Sequence, residues 1–171
     1  LVFGGSLGAR TINEAAFAAF AQQAPCRVLH VTGARDHDAL AAREHGPHYD
    51  VRAYLDDFGE ALAAADLTVA RSGGSVFEIA AAGLPAILVP YPRAAGDHQA
   101  GNADWMARAG AAIVIADADL DAERLEHAVT ALLADRTRLR AMADASAALA
   151  RPDAAHVIAG EILAAAGGDR G

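Results

Sequence analysis

Six short apolar runs alternating with helical stretches predict an α/β domain, a doubly wound parallel sheet with helices on both faces. Three observations carry that reading. The runs Leu1–Gly4, Arg27–Thr32, Asp50–Leu55, Leu67–Arg71, Ala86–Pro90 and Ala111–Ala116 each have strand length. The stretches between them have helical length and an apolar side. The turns after the first and fourth runs, Gly4-Gly5-Ser6-Leu7-Gly8 and Ser72-Gly73-Gly74, are the richest in glycine. The usual strand order for such a six-stranded sheet, 3-2-1-4-5-6, makes the first and fourth strands neighbours where the sheet reverses direction. Ligands bind there, beyond the carboxyl ends of the strands.

Each element has its own justification. Ile12, Ala16 and Phe20 fall four apart, with Phe17 beside them, so Ala9 to Gln23 reads as a helix with one inner face. Gly33 stops the second strand. Arg35 to about Glu44 reads as a polar surface helix, ended near Gly46-Pro47. Asp56 or Asp57 is placed to cap a helix running to Ala65, since a carboxylate before an apolar run accepts from its free N–H groups. Val76 to Ala82 is a short helix after the Gly/Ser turn, ended by Gly83, and the fifth strand follows at once. Pro92 bounds a loop over Arg93–Asp97, and His98–Ala109 forms the next helix. Asp121–Ala134, Arg136–Leu149 and Asp153–Ala166 close the chain as three helices, with Gly167–Gly171 expected to fray. No repeat and no long linker divides residues 1–171, so they read as one domain.

Composition narrows the function. Hydrophobic residues make up 54% and charged residues 21%, a globular composition in which abundant alanine permits close helix packing. No apolar run approaches the roughly 20 residues that span a bilayer. The single cysteine, Cys26, leaves no internal disulfide and no cysteine zinc site, which suits a reducing cytoplasm. A net charge of -8 argues against nucleic acid. It permits a nucleotide, because glycine turns hold phosphate with backbone dipoles. The chain opens inside an apolar strand, Leu1-Val2-Phe3, and is expected to be a piece of a longer one.

Two glycine turns facing one cleft favour a phosphate-bearing ligand. A dinucleotide fits poorly: the first turn lacks the G-x-G-x-x-G spacing, and no carboxylate follows the second strand until Asp36. A P-loop is excluded, since neither turn is followed by Gly-Lys-Ser/Thr. A nucleotide sugar fits better. Its ribose diol suits Glu78, its diphosphate suits Ser6 and the Ser72–Ser75 turn, and its sugar hydroxyls suit Gln99 and Asn102. Those two amides are three apart on one helical face. The plain alternative for this patch is capping by Asp97, with the amides in solvent.

Five motifs occur in order: Gly4-Gly5-Ser6-Leu7-Gly8-Ala9-Arg10, Tyr54-Leu55-Asp56-Asp57, Arg71-Ser72-Gly73 with Glu78, Ala82-Gly83-Leu84-Pro85 and His98-Gln99-x-x-Asn102-Ala103. Together they cover essentially the whole chain, which resembles the C-terminal half of the MurG family of bacterial glycosyltransferases. The resemblance implies transfer of N-acetylglucosamine from its UDP-sugar to undecaprenyl-pyrophosphoryl-muramoyl-pentapeptide in peptidoglycan synthesis. It implies a GT-B fold of two Rossmann-like domains, this being the donor-binding one. Ser6 is then expected at the diphosphate, with Gly73, Gly74 and Ser75 along the phosphates. Leu55 would offer backbone groups to the uracil, walled by Tyr54 and Phe58. Glu78 would hold the ribose, and His98, Gln99 and Asn102 the sugar. Two departures stand out: the turn from Arg71 to Glu78 is one residue shorter than usual and lacks its threonine, and Leu7 replaces a frequent glutamine.

The resemblance assigns the general base and acceptor pocket to the absent N-terminal half, so no catalytic residue is expected in this chain. Contact with the inner face of the plasma membrane would also come through that half. No cofactor and no metal are expected, since loop dipoles can neutralise a diphosphate leaving group. Three other readings remain: a stand-alone donor subunit activated by a membrane partner, another GT-B-type enzyme such as a UDP-N-acetylglucosamine 2-epimerase, and a Rossmann-like fold without ligand.

Overall fold

A computed structural model describes residues 1–167; the expected fraying over Gly167–Gly171 falls, beyond that point, outside the described residues. Six parallel strands form one sheet: β1 (Val2–Phe3), β2 (Val28–Val31), β3 (Tyr49–Arg52), β4 (Thr68–Ala70), β5 (Ala86–Leu88) and β6 (Ala112–Val114). Their order is β3-β2-β1-β4-β5-β6, as expected. Between them run α1 (Arg10–Phe20), α2 (Ala34–Ala41), α3 (Phe58–Ala64), α4 (Ser75–Ala81) and α5 (His98–Arg108). The chain ends in α6 (Ala122–Ala134), α7 (Arg136–Ala148) and α8 (Ala154–Gly167).

Alternate strand residues face opposite sides, and the sheet therefore builds two cores. Val2, Val69 and Ile87 join Ile12, Phe17 and Phe20 of α1 and Leu125, Val129 and Leu132 of α6. Phe3, Ala70 and Leu88 join Leu62 of α3, Val76 and Ile79 of α4 and Met106 of α5. Asp57 caps α3 by accepting from the Glu60 N–H at 3.0 Å, which decides between the two candidate caps. α8 stands apart. It is exposed over residues 154–166, with Val157, Ile158, Ile162 and Leu163 in the open. Among the described residues no helix is long and apolar enough to cross a membrane.

A buried polar chain ties α1 to β2, and its members carry no periodicity that a sequence pattern would flag. Asn13, on the inner side of α1, donates through Nδ2 to the Thr32 carbonyl at 2.9 Å and to Asp36 at 3.0 Å. Its Oδ1 must therefore accept from His30 Nε2 at 3.1 Å, which leaves His30 Nδ1 to accept from the Tyr49 hydroxyl at 2.7 Å. Every member is satisfied only with a neutral imidazole. Burial pushes His30 down to about 4. Burial also pushes the Asp36 carboxyl up, but hydrogen bonds from Arg35, Asn13 and Arg10 outweigh it and hold it below its ordinary value.

This chain predicts an acid limb of stability. Between pH 6.5 and about 4 the unfolded state takes up a proton on His30 that the native state refuses. Stability is full above that window and falls by about 3 kcal/mol as pH drops through it. Asp36 contributes above its unfolded value near 3.8 and is lost only below that. Urea denaturation from pH 7 to 4 is expected to show a steeper slope in the natural chain than in His30→Gln, where the buried Leu1 ammonium, also held below its ordinary value, is left as a second source. An equal slope in both would remove His30 as its source.

Candidate functional site

The site forms where β1 and β4 end. Phe3 and Ala70 are register partners, so the turns that leave the sheet after them start side by side. The first turn is set by backbone contact. Gly8 has φ +75°, and a Cβ there would lie 1.9 Å from the Thr32 carbonyl oxygen. Gly33 has φ +77°, and a Cβ there would lie 2.3 Å from the Gly8 nitrogen. The turns after β1 and β2 thus rest directly on one another, and the Gly8 N–H closes its own turn on the Gly5 carbonyl at 2.9 Å. Gly33 was legible in the sequence only as a strand stop.

Beyond these turns a cleft of about 290 Å³ is lined by Phe3, Gly5, Ser6, Val31, Ala53, Tyr54, Leu55, Phe58, Ser75 and Glu78. Six of the residues singled out by sequence meet there: Ser6, Tyr54, Leu55, Phe58, Ser75 and Glu78. Phe58 is fixed by an edge-on contact with Phe3, ring centres 4.9 Å apart. The N–H and C=O of Leu55 have no protein partner among the described residues. The Glu78 carboxylate is exposed and likewise unpaired among them. Two larger hollows, of about 710 and 490 Å³, lie at the opposite, amino-terminal edge of the sheet. Both include the carboxylate of Asp66, but neither contains any of the site residues singled out by sequence.

The other five candidates form the adjoining wall. Ser72 donates through its hydroxyl to the Gln99 carbonyl at 2.7 Å, and Asn102 donates to the Ser72 carbonyl at 2.9 Å. Asn102 also reaches the Gly73 carbonyl at 3.4 Å. The β4–α4 turn is thereby latched to α5. Asn102 spends its N–H donors on that latch, which leaves Oδ1 as its free atom. Gln99 accepts from the Tyr91 N–H through Oε1 at 2.9 Å, so its Nε2 is the group left to donate. His98 bonds the Ala95 carbonyl through Nδ1 at 2.7 Å, which turns Nε2 outward. Asp97 caps nothing and sits at φ 56°, in the left-handed region that Asp tolerates better than most residues. The capping alternative for this patch is therefore set aside, and the amides face the turn rather than bulk solvent.

Gly73 and Gly74 differ from Gly8 in a telling way. Neither has a positive φ. A Cβ on Gly74 would meet nothing within 4 Å, and one on Gly73 would meet only Gln99 Nε2 at 3.9 Å. Asp36, the one carboxylate a dinucleotide reading could have used, is turned into the α1–α2 seam by Asn13, Arg10 and Arg35. Among the described residues no group of three or more His, Cys, Asp or Glu side chains could hold a metal ion.

The family model for the glycosyltransferase family 28 C-terminal domain matches residues 1–158. This chain belongs to that family. A UDP-N-acetylglucosamine–N-acetylmuramyl-(pentapeptide) pyrophosphoryl-undecaprenol N-acetylglucosamine transferase from Nitratidesulfovibrio vulgaris is 44% identical over 165 residues, covering 92% of this chain and 45% of that protein. The crystal structure of Acinetobacter baumannii MurG superposes with a TM-score of 0.76 at 30% identity, over 92% of this chain and 47% of that one. A UDP-N-acetylglucosamine 2-epimerase shares the fold at TM-score 0.60 and 17% identity, over 99% of this chain and 44% of that one. The chain spans about half the length of the curated relatives it matches, and it corresponds to their C-terminal half. Its Rossmann-like sheet is the fold of the glycosyltransferase family 28 C-terminal domain.

Proposed function

We propose that this chain is the donor half of an N-acetylglucosamine transferase acting on the lipid-linked muramoyl-pentapeptide of peptidoglycan synthesis. The carrying observation is the pair Gly73 and Gly74, whose lack of side chains answers to neither φ nor neighbouring protein atoms. Room left on the open side of a turn lets a ligand's phosphates approach the backbone. The unpaired Leu55 backbone suits a uracil edge, with Phe58 and Tyr54 as walls. Glu78 suits a ribose diol, and Ser6 and Ser75 suit the diphosphate.

Gln99 Nε2 and Asn102 Oδ1 offer one donor and one acceptor to a sugar, with His98 at the rim. The chain supplies no cofactor chemistry in this reading. The N–H groups of the turns hold the UDP leaving group, and the base that activates the acceptor belongs to the other half of the enzyme. That half is also the partner we assign to the uncovered apolar side of α8, and the route to the lipid acceptor at the inner membrane face.

Calorimetric titration with UDP-N-acetylglucosamine, UDP-glucose, UDP and NAD tests this. UDP-N-acetylglucosamine is expected to bind best and NAD not at all. Equal affinity for the two UDP-sugars would move the reading to another GT-B-type enzyme, and preference for NAD would sink it.

A further inference from the structure

Arg71 is buried, yet it lies outside the cleft and the site's chemistry makes no use of its charge. Its guanidinium, one-tenth exposed, donates through Nη1 to the Val89 carbonyl at 3.1 Å and to the Pro90 carbonyl at 3.3 Å. It pairs with Asp117, from the single 3₁₀ turn Asp117–Asp119 after β6, and lies over the Tyr91 ring at 5.4 Å. Asp117 in turn accepts from the Thr11 hydroxyl of α1 at 3.4 Å.

The Pro90 carbonyl and the Tyr91 N–H are the two halves of one peptide unit. In a planar trans peptide they point in opposite directions. Holding the carbonyl on Arg71 therefore aims the N–H away from Arg71, and that N–H is the one that Gln99 Oε1 accepts. An amide side chain could present either end to a ligand. Here the Oε1 end is taken, and Nε2 is left facing the Gly73 turn.

We propose that Arg71 and Asp117 are positioning residues that fix the Pro90–Tyr91 peptide and so make Gln99 a hydrogen-bond donor toward the sugar. The group that Gln99 meets is then an acceptor, such as a hydroxyl lone pair or an acetamido carbonyl. The sugar assignment rests on the donor reading above; the relay itself does not. Arg71→Lys is expected to fail as a substitute, because all three contacts are made at Nη1 and a lysine ammonium ends one bond short of that position.

Two measurements separate the claims, applied to Asp117→Asn and Arg71→Lys after thermal melts confirm that they fold. Hydrogen exchange of the Tyr91 N–H, read by NMR without ligand, is expected to quicken by about three- to tenfold as its hydrogen bond loosens. In calorimetry, UDP-N-acetylglucosamine is expected to weaken by a similar factor while UDP stays within about twofold. Unchanged Tyr91 exchange in the folded variants would overturn the relay whatever binds. Equal weakening of both ligands would overturn it as well, since a merely structural role moves them together. If the natural chain gains nothing from the sugar, the donor reading fails, and the exchange measurement still decides the relay.

Discussion

Gly8→Ala is expected to cost about 3–5 kcal/mol of stability, a large part of what a domain of this size has. The left-handed φ alone penalises an L side chain by about 1–2 kcal/mol. The larger cost is the clash, because the new Cβ would sit 1.9 Å from the Thr32 carbonyl oxygen. Thr32 has nowhere to go. Its carbonyl is held by Asn13, its N–H by the Arg52 carbonyl at 2.9 Å, and its hydroxyl bonds the Gly33 carbonyl at 3.1 Å. Gly33, next in the chain, is packed directly on the Gly8 backbone as well. The melting temperature should fall by roughly 10 °C or more.

Gly74→Ala is the control. It sits at φ −57° and ψ −24° with open space around its Cβ position, so stability should hold or rise by about 0.4–1 kcal/mol. If that glycine serves a phosphate, UDP should nonetheless bind more weakly. Equal melting temperatures for the two variants would show that the Gly8–Gly33 contact does not organise the turn.

These two glycines also mark what a sequence does and does not disclose. The sheet order was readable because it follows from alternating elements and from two glycine turns that must face each other. Six of the cleft residues were readable because each lies two or three residues past a strand end, or on the first turns of a helix after one. Asn13, His30, Asp36 and Gly33 were not. Their partners are distant in sequence: Asn13 meets Thr32, His30 meets Tyr49, and Gly33 meets Gly8. A polar residue on an inner helical face is a lone irregularity until its partner is placed in space. Arg71 was quoted as part of a motif, but its role lies in a carbonyl pair at the end of the next strand and in Asp117 beyond the last one. Asn102 was read as a sugar ligand from its spacing to Gln99. The fold gives its donors to the β4–α4 turn, a contact between a helix and a distant turn that no helical period reports.

Glu78→Ala should weaken every uridine ligand by about 10²-fold while leaving the fold intact. The carboxylate is exposed and unpaired among the described residues, so removing it breaks no protein contact and should shift stability by less than about 0.5 kcal/mol. An unpaired negative charge in a cleft proposed to take a diphosphate is unfavourable unless the ligand offers it donors. A ribose diol offers two. Hydrogen bonds to an ionised acceptor contribute about 1.5–3 kcal/mol each, so losing both gives a decrease of at least this size. Glu78→Gln keeps one acceptor oxygen and should fall between, near tenfold. The decisive comparison uses UDP and its 2′-deoxy analogue on both proteins. The natural chain should discriminate against the deoxy ligand, and Glu78→Ala should bind the two alike, because the carboxylate and the 2′-hydroxyl are then members of one interaction. Discrimination that survives in Glu78→Ala would place the ribose elsewhere and leave Glu78 as a solvent-facing residue of α4.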